Sequence, residues 1–246
     1  AECDELPKTS QPSPDTFMKV FNEAVAAGDD VLGIFISSDL SGTYQSACLA
    51  ALDVEEETRK KLYMVDSRSA SIGTALLIRE AVKLRDAGVN VSDIAAACTE
   101  MSKYIKLTAV VGSLKYLKMG GRLSGAAAFA GTMLHITPVV SIEDGKVVVI
   151  GKTRGKKAAE KLMHDKLIKD GLSLTRDFMF GHINCSESLE TFINKSLTYI
   201  SDVNGNVGVS SIGCSVGTHV GPGTYGIAYV EAAESGMNRE SIVKTA

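Results

Sequence analysis

The segment VLGIFISSDLSGTYQSACLAALDV (residues 31–54) decides the fold class. Residues 31–37 form a short, nearly all-apolar run, which suits a strand buried on both faces. A polar loop follows and leads into a helix. Strand, loop and helix in that order are the unit of a parallel α/β fold, which holds ligands at the carboxyl ends of its strands. Ser41 and Gly42 sit near the helix start, where backbone N–H groups are free and the helix dipole is positive. That arrangement suits a carboxylate or a phosphate. Ser41 can equally cap the helix, and the two roles are compatible.

Outward from this segment the rhythm continues. Upstream, TFMKVFNEAVAAG (16–28) places Phe17, Val20, Phe21 and Val25 on one helical face and ends in Gly28. Downstream, KLYMVDS (61–67) reads as a second buried strand, followed by helices over 69–88 and 91–105. Strands alternating with helices predict a parallel sheet with helices on its faces. After about Lys106 the pattern changes. Residues 107–113, 137–154, 177–184, 207–214 and 225–230 read as strands, with helices over 156–169 and 188–200 between them. Asp144-Gly145 supplies the positive dihedrals of a tight hairpin turn. The expected architecture is a Rossmann-like parallel-sheet domain over residues 1–105 and an α+β domain with a largely antiparallel sheet over 106–246.

Composition limits the function. The chain has 246 residues, 45% of them apolar and 22% charged, which is enough for a sizeable core. A net charge of −3 gives no electrostatic reason to expect nucleic acid. Five scattered cysteines without a CxxC read as reduced, mostly buried thiols of a cytoplasmic protein, and no Cys/His spacing suits zinc. The opening residues AECDELPKTSQ lack a basic and apolar leader. LSGAAAFAGTMLHITPVVSI (123–142) is the longest apolar stretch, but His135 and Pro138 interrupt it. It reads as a buried helix followed by a strand, not as a membrane span.

Four loops concentrate hydroxyls, glycines and cations. In KTSQPSP (8–14), Ser13-Pro14-Asp15 is good capping chemistry, which leaves Thr9 and Ser10 unexplained. SSDLSGTYQSA (37–47) lacks both the lysine of a P-loop and the GxSxG of a nucleophile elbow, against an NTPase or an α/β-hydrolase. In KMGGRLSGAAAFAG (118–131), Arg122 is either a carboxylate partner or an exposed charge. The small side chains after it either admit a neighbouring backbone or leave room for an apolar ligand. In GTHVGPGTYG (217–226) one of the chain's four histidines, His219, stands in a loop of glycines and a proline. It can donate to an anion or to a hydroxyl that contacts one. Nothing supplies the oriented base and activated nucleophile of a hydrolytic triad.

Together TSQPS (9–13), SSDLSGTYQSA (37–47), GGRLSGAAAFAG (120–131) with TPVVSIEDGK (137–146) and TRGKKA (153–158), and GTHVGPG (217–223) with GIAY (226–229) resemble the DegV family. The resemblance covers nearly the whole chain, in the family's order. It implies a non-catalytic, cytoplasmic carrier with one long-chain fatty acid between two domains and no cofactor or metal. Such a carrier presents the carboxylate to a separate fatty acid kinase subunit and takes acyl-phosphate toward phospholipid synthesis, with transient contact to a membrane or acyltransferase. By motif, Thr9, Ser41, Gly42 and His219 would hold the carboxylate. Ser10 and Arg122 would lie near the head group or the docked partner, and Ala126, Ala127, Phe129 and Met133 would line the acyl tunnel. Family members usually open with a strand ending in Asp-Ser-Thr before TSQPS, so the first sheet is expected to lack that strand here. Asp39 stands where glycine is commoner. Thr224 and Tyr225 stand where small or aliphatic residues are usual, which implies a reshaped pocket. The competing readings are an enzyme acting on a small carboxylated or phosphorylated metabolite, with Ser41 at its anion site, and a lipid-responsive sensor. A carrier needs a long dry channel, and the enzyme needs a polar cleft with a competent base.

Overall fold

The computed structural model describes residues 6–123, 136–173, 175–198, 200 and 205–232. Ala126, Ala127, Phe129 and Met133, together with the helix expected after Arg122, lie outside these residues. Helix α1 (Pro14–Ala27) starts on a proline, where the missing N–H costs nothing, and stops at Gly28 with φ 87°. Ser13 occupies the cap position, yet its hydroxyl bonds Thr16 Oγ1 at 3.1 Å and no helix amide. Strands β1 (Leu32–Phe35) and β2 (Tyr63–Asp66) pair in parallel, with Leu32 opposite Tyr63, and α2 (Thr43–Thr58) connects them. β1 is only partly buried, not buried on both faces as its sequence suggests. The physical reason is that a two-stranded sheet consists of edges alone. Helices α3 (Ile72–Asp86) and α4 (Val91–Met101) follow. The second is shorter than expected, because Ile105 already begins β3.

The remaining strands form one mixed sheet. β3 (Ile105–Val110), β4 (Thr137–Glu143), β5 (Lys146–Thr153), β6 (Phe178–His182), β7 (Val207–Ser211) and β8 (Tyr225–Val230) lie in the order β5-β4-β3-β8-β6-β7. Neighbours are antiparallel except β6 and β7, which are parallel and joined through α7 (Ser186–Ser196). The β4–β5 turn has Asp144 at φ 48° and Gly145 at φ 80°, as the Asp-Gly pair predicts. Helices α5 (Lys115–Met119), α6 (Lys156–Asp170) and α8 (Cys214–Val220) complete the described elements.

Strand pleating gives the six-stranded sheet two distinct faces. Phe178, Phe180, Tyr225, Ile227 and Tyr229 pack under α6 and α7. Met179 and Ala228 point the other way, into a core shared with Leu76 and Leu77 of α3, Cys98 of α4 and Val65 of β2. α3 therefore packs on both sheets. Of the four described cysteines only Cys98 is buried; Cys48 and Cys185 are half-buried and Cys214 is exposed. No described helix is long and apolar enough to cross a membrane.

Ion pairs pin α3 to the segment entering β6. Arg79 and Lys83 both reach Asp177, and Glu80 meets Arg176 with both side chains buried. Burial alone would raise the Asp177 carboxyl. Hydrogen bonds from Lys83, the Asn206 amide and Arg79 outweigh that and bring it down to about 2. Its stabilising contribution is thus complete above the ordinary carboxylate pKa of 3.8 and is lost as pH falls toward about 2. Asp177→Ala should cost about 2 kcal/mol in urea unfolding at pH 7, since the Asn206 amide and two part-exposed cations lose a buried acceptor. The gap to the wild-type protein should close on acidification toward pH 2. A gap that persists at pH 2 would show that the carboxylate charge is not its source.

Candidate functional site

A cavity of about 660 Å³ opens between the loops at the carboxyl ends of β1 and β2 and the face of the six-stranded sheet that carries Met179 and Ala228. Its floor comes from alternate residues Leu107, Ala109 and Val111 of β3 and its continuation, with Val140 and Ile142 of β4. Its other apolar walls include Ile36, Leu40, Ala70, Ile72 and Leu117. Thr9, Ser10, Ser41, Arg122 and His219, scattered through the sequence, all line it.

His219 sits in the last turn of the short helix α8, not in the glycine-proline loop where the sequence suggests it. The loop begins two residues later, at Gly221 with φ 78°, where a side chain would also run into the Tyr116 ring. Nε2 lies 2.7 Å from Thr9 Oγ1. Nδ1 is buried with no partner among the described residues, and a Cβ on Gly120 would fall 2.2 Å from it. The contact has two forms, Nε2–H donating to Thr9 Oγ1 or the threonine hydroxyl donating to a bare Nε2, and Nδ1 is unpaired in both. With the proton on Nε2, the Thr9 hydroxyl keeps its own proton for a ligand. Burial, and then the Arg122 cation, hold the imidazole below its ordinary pKa of 6.5.

Arg122 is fixed by two backbone acceptors: its Nε donates to the Leu40 carbonyl at 3.1 Å and a terminal nitrogen donates to Gly120 at 2.7 Å. Further N–H groups of the guanidinium remain for an anion. Ser41 precedes Gly42, the N-cap of α2; its hydroxyl oxygen accepts the Thr43 N–H at 3.3 Å and bonds Thr43 Oγ1 at 2.8 Å. One side chain thus serves the first helical amide and the cavity wall, without being the helix cap. Gly42 does not line the cavity. It lies under the Gln11 side chain, with room for no Cβ.

Gln11, Thr43 and Ser71 also line the cavity, though the sequence does not single them out. Gln11 lies inside the TSQPS motif and Thr43 directly follows LSG. Ser71 occupies the same strand–loop–helix position after β2 that Ser41 occupies after β1, and it holds a strained φ of 50°. Thr224 lines the cavity, whereas Tyr225, expected to reshape it, points to the opposite face and bonds Glu160 at 3.0 Å. Asp39 pairs with Lys146 at 3.5 Å. No cluster of three or more His, Cys, Asp or Glu suited to a metal occurs among the described residues.

Residues 1–232 match the sequence model of a family described as "Uncharacterised protein, DegV family". The chain belongs to the DegV family. A DegV domain-containing protein of Clostridium acetobutylicum is 36% identical over 234 residues, covering 91% of this chain and 78% of the relative. Among solved structures, a DegV lipid-binding protein from Thermotoga maritima superposes with a TM-score of 0.80 at 30% identity, over 93% of this chain and 79% of the other. A Thermus thermophilus DegV structure described by its fatty acid binding gives 0.79 at 32%, over 91% and 79%. Both solved relatives are described by the lipid or fatty acid that they bind.

The electrostatics of the site make a direct prediction. In an NMR titration His219 should show a midpoint below 6.5, and Arg122→Gln should move it upward. The movement should stop short of 6.5, because burial is the larger cause. A midpoint unmoved by Arg122→Gln would mean that the guanidinium does not act on the ring.

Proposed function

We propose that this chain is a non-catalytic carrier for one long-chain fatty acid. The acyl chain occupies the cavity between two domains, residues 1–105 and 106–246. The carboxylate takes hydrogen bonds from Thr9 and Ser41, with His219 behind Thr9 and with Arg122 and Ser10 near the head group. The observation that carries this reading is the pairing of extensive apolar walls with one connected polar cluster. A volume of about 660 Å³ lies within the usual range of small-molecule sites. Each methylene withdrawn from water contributes about 0.8 kcal/mol, so a sixteen-carbon tail supplies on the order of 10 kcal/mol before the costs of association. The head group then needs only enough donors to offset the loss of its hydration.

The cluster suits holding better than chemistry. Its imidazole is hydrogen-bonded to a threonine hydroxyl through Nε2, and no carboxylate contact to the ring appears among the described residues. A general base needs the free ring nitrogen near the ligand, and here that nitrogen faces Gly120. The reading extends to a cytoplasmic protein that presents the carboxylate, beside Arg122, to a separate fatty acid kinase subunit and carries the acyl-phosphate to an acyltransferase at the membrane. Family membership and the placement of the cluster on the cavity wall support it.

Native mass spectrometry of the purified protein, followed by solvent extraction, should release a stoichiometric C14–C18 fatty acid. Thr9→Val with Ser41→Ala should raise the dissociation constant for oleate about a hundredfold, because each lost bond involves a charged acceptor. The circular dichroism spectrum should be unchanged. Ala109→Leu should fill the cavity floor and exclude long chains while retaining short ones. A protein that carries no lipid and ignores added oleate and palmitate would overturn the carrier reading.

A further inference from the structure

Residues 6–13 run as a strap without regular structure, and residues 7–13 are exposed. Pro7 and Pro12 stiffen the backbone locally but do not attach it to anything. Among the described residues, two side-chain hydrogen bonds tie this strap to elements other than α1. One joins Thr9 to His219 of α8; the other runs from Gln11 Nε2 to Ser46 Oγ in α2 at 3.1 Å. Ser46 is buried and belongs to the helix that starts beside Ser41. The strap is thus moored once on each side of the cavity.

Gly42 explains how tightly the second mooring fits. Its φ of −68° and ψ of 5° are open to any residue, so backbone freedom is not the reason for a glycine. A Cβ at this position would lie 2.0 Å from Gln11 Oε1 and 2.8 Å from Nε2. The side-chain amide of Gln11 fills the space that any other residue would occupy.

We propose that Gln11 is a positioning residue: seated on Gly42 and bonded to Ser46, its amide fixes the strap so that Thr9 Oγ1 meets His219. The proposal rests on the carboxylate-binding reading of Thr9 and adds to it a cause for the geometry. Without the mooring the strap populates many conformations, and only a fraction presents Thr9 to the ring. The dissociation constant rises as the inverse of that fraction.

A double-mutant cycle with oleate tests this, using the full chain, Gln11→Ala, Thr9→Val and the double variant. Gln11→Ala should weaken oleate binding about tenfold in the wild-type background, the size of one lost mooring bond, and less than twofold when Thr9 is already valine. The His219 Nε2 signal in the long-range proton–nitrogen NMR spectrum of the ring should shift in Gln11→Ala as it does in Thr9→Val, with the melting temperature unchanged. Gly42→Ala, which displaces the amide without removing it, should reproduce both effects. An equal loss in both backgrounds would mean that Gln11 contacts the ligand itself, and an unmoved His219 signal would mean that the strap holds without it; either overturns the proposal. If the wild-type chain binds no oleate, the carboxylate reading fails, and the His219 signal still decides the role of Gln11.

Discussion

The hydrogen bond between Thr9 and His219 closes a separation of 210 residues, and the polar end of the cavity is organised around it. A carboxylate entering an apolar cleft needs donors already in place, since donors that must be gathered on arrival cost conformational freedom. A hydroxyl on an exposed coil does not hold its place unaided. Here an imidazole on a helix holds it, and that ring is itself confined by Gly120 and polarised by Arg122. The arginine is tethered to carbonyls of Leu40 and Gly120, so it links the loop after β1 to the turn after α5. Neither sheet alone offers this constellation.

The apolar part of the site follows from the pleat of the second sheet. Ala109 of β3 pairs with Gly226 of β8, which pairs in turn with Gly181 of β6. These small residues form a row on the cavity-facing side, and Ile72 at the start of α3 closes over Gly181. Their immediate neighbours, Val110, Tyr225 and Phe180, fill the opposite face beneath α6 and α7. One strand thus supplies bulk to a packed core and space to a cavity by simple alternation.

Much of this was legible in the sequence because it is periodic. Both parallel strands, the Asp-Gly hairpin and helices α1, α2, α3, α6 and α7 follow from apolar spacing and end signals. Thr9, Ser41, Arg122 and His219 stood out as hydroxyls, a cation and an imidazole in small-residue loops. Helices α5 and α8 did not, being too short at five and seven residues to show a period. Partnership across sequence was also hidden: nothing in TSQPS names His219, and nothing in LSGT says that its glycine makes room for Gln11. Tyr225 misled because position in a motif does not reveal the face of a strand. β1 misled because burial depends on how many strands flank it, which composition does not record.

Helix α3 serves as a common wall. Its apolar stripe, including Leu76 and Leu77, shares one core with Val65 of the small sheet and with Met179, Ala228 and Val230 of the large one. Its polar stripe is bound by charge to the threshold of β6. A division at residue 105 therefore separates the sheets but cuts through this core, and a fragment cut there would expose apolar surface on both pieces. The two halves thus share one of their hydrophobic clusters while each keeps another of its own.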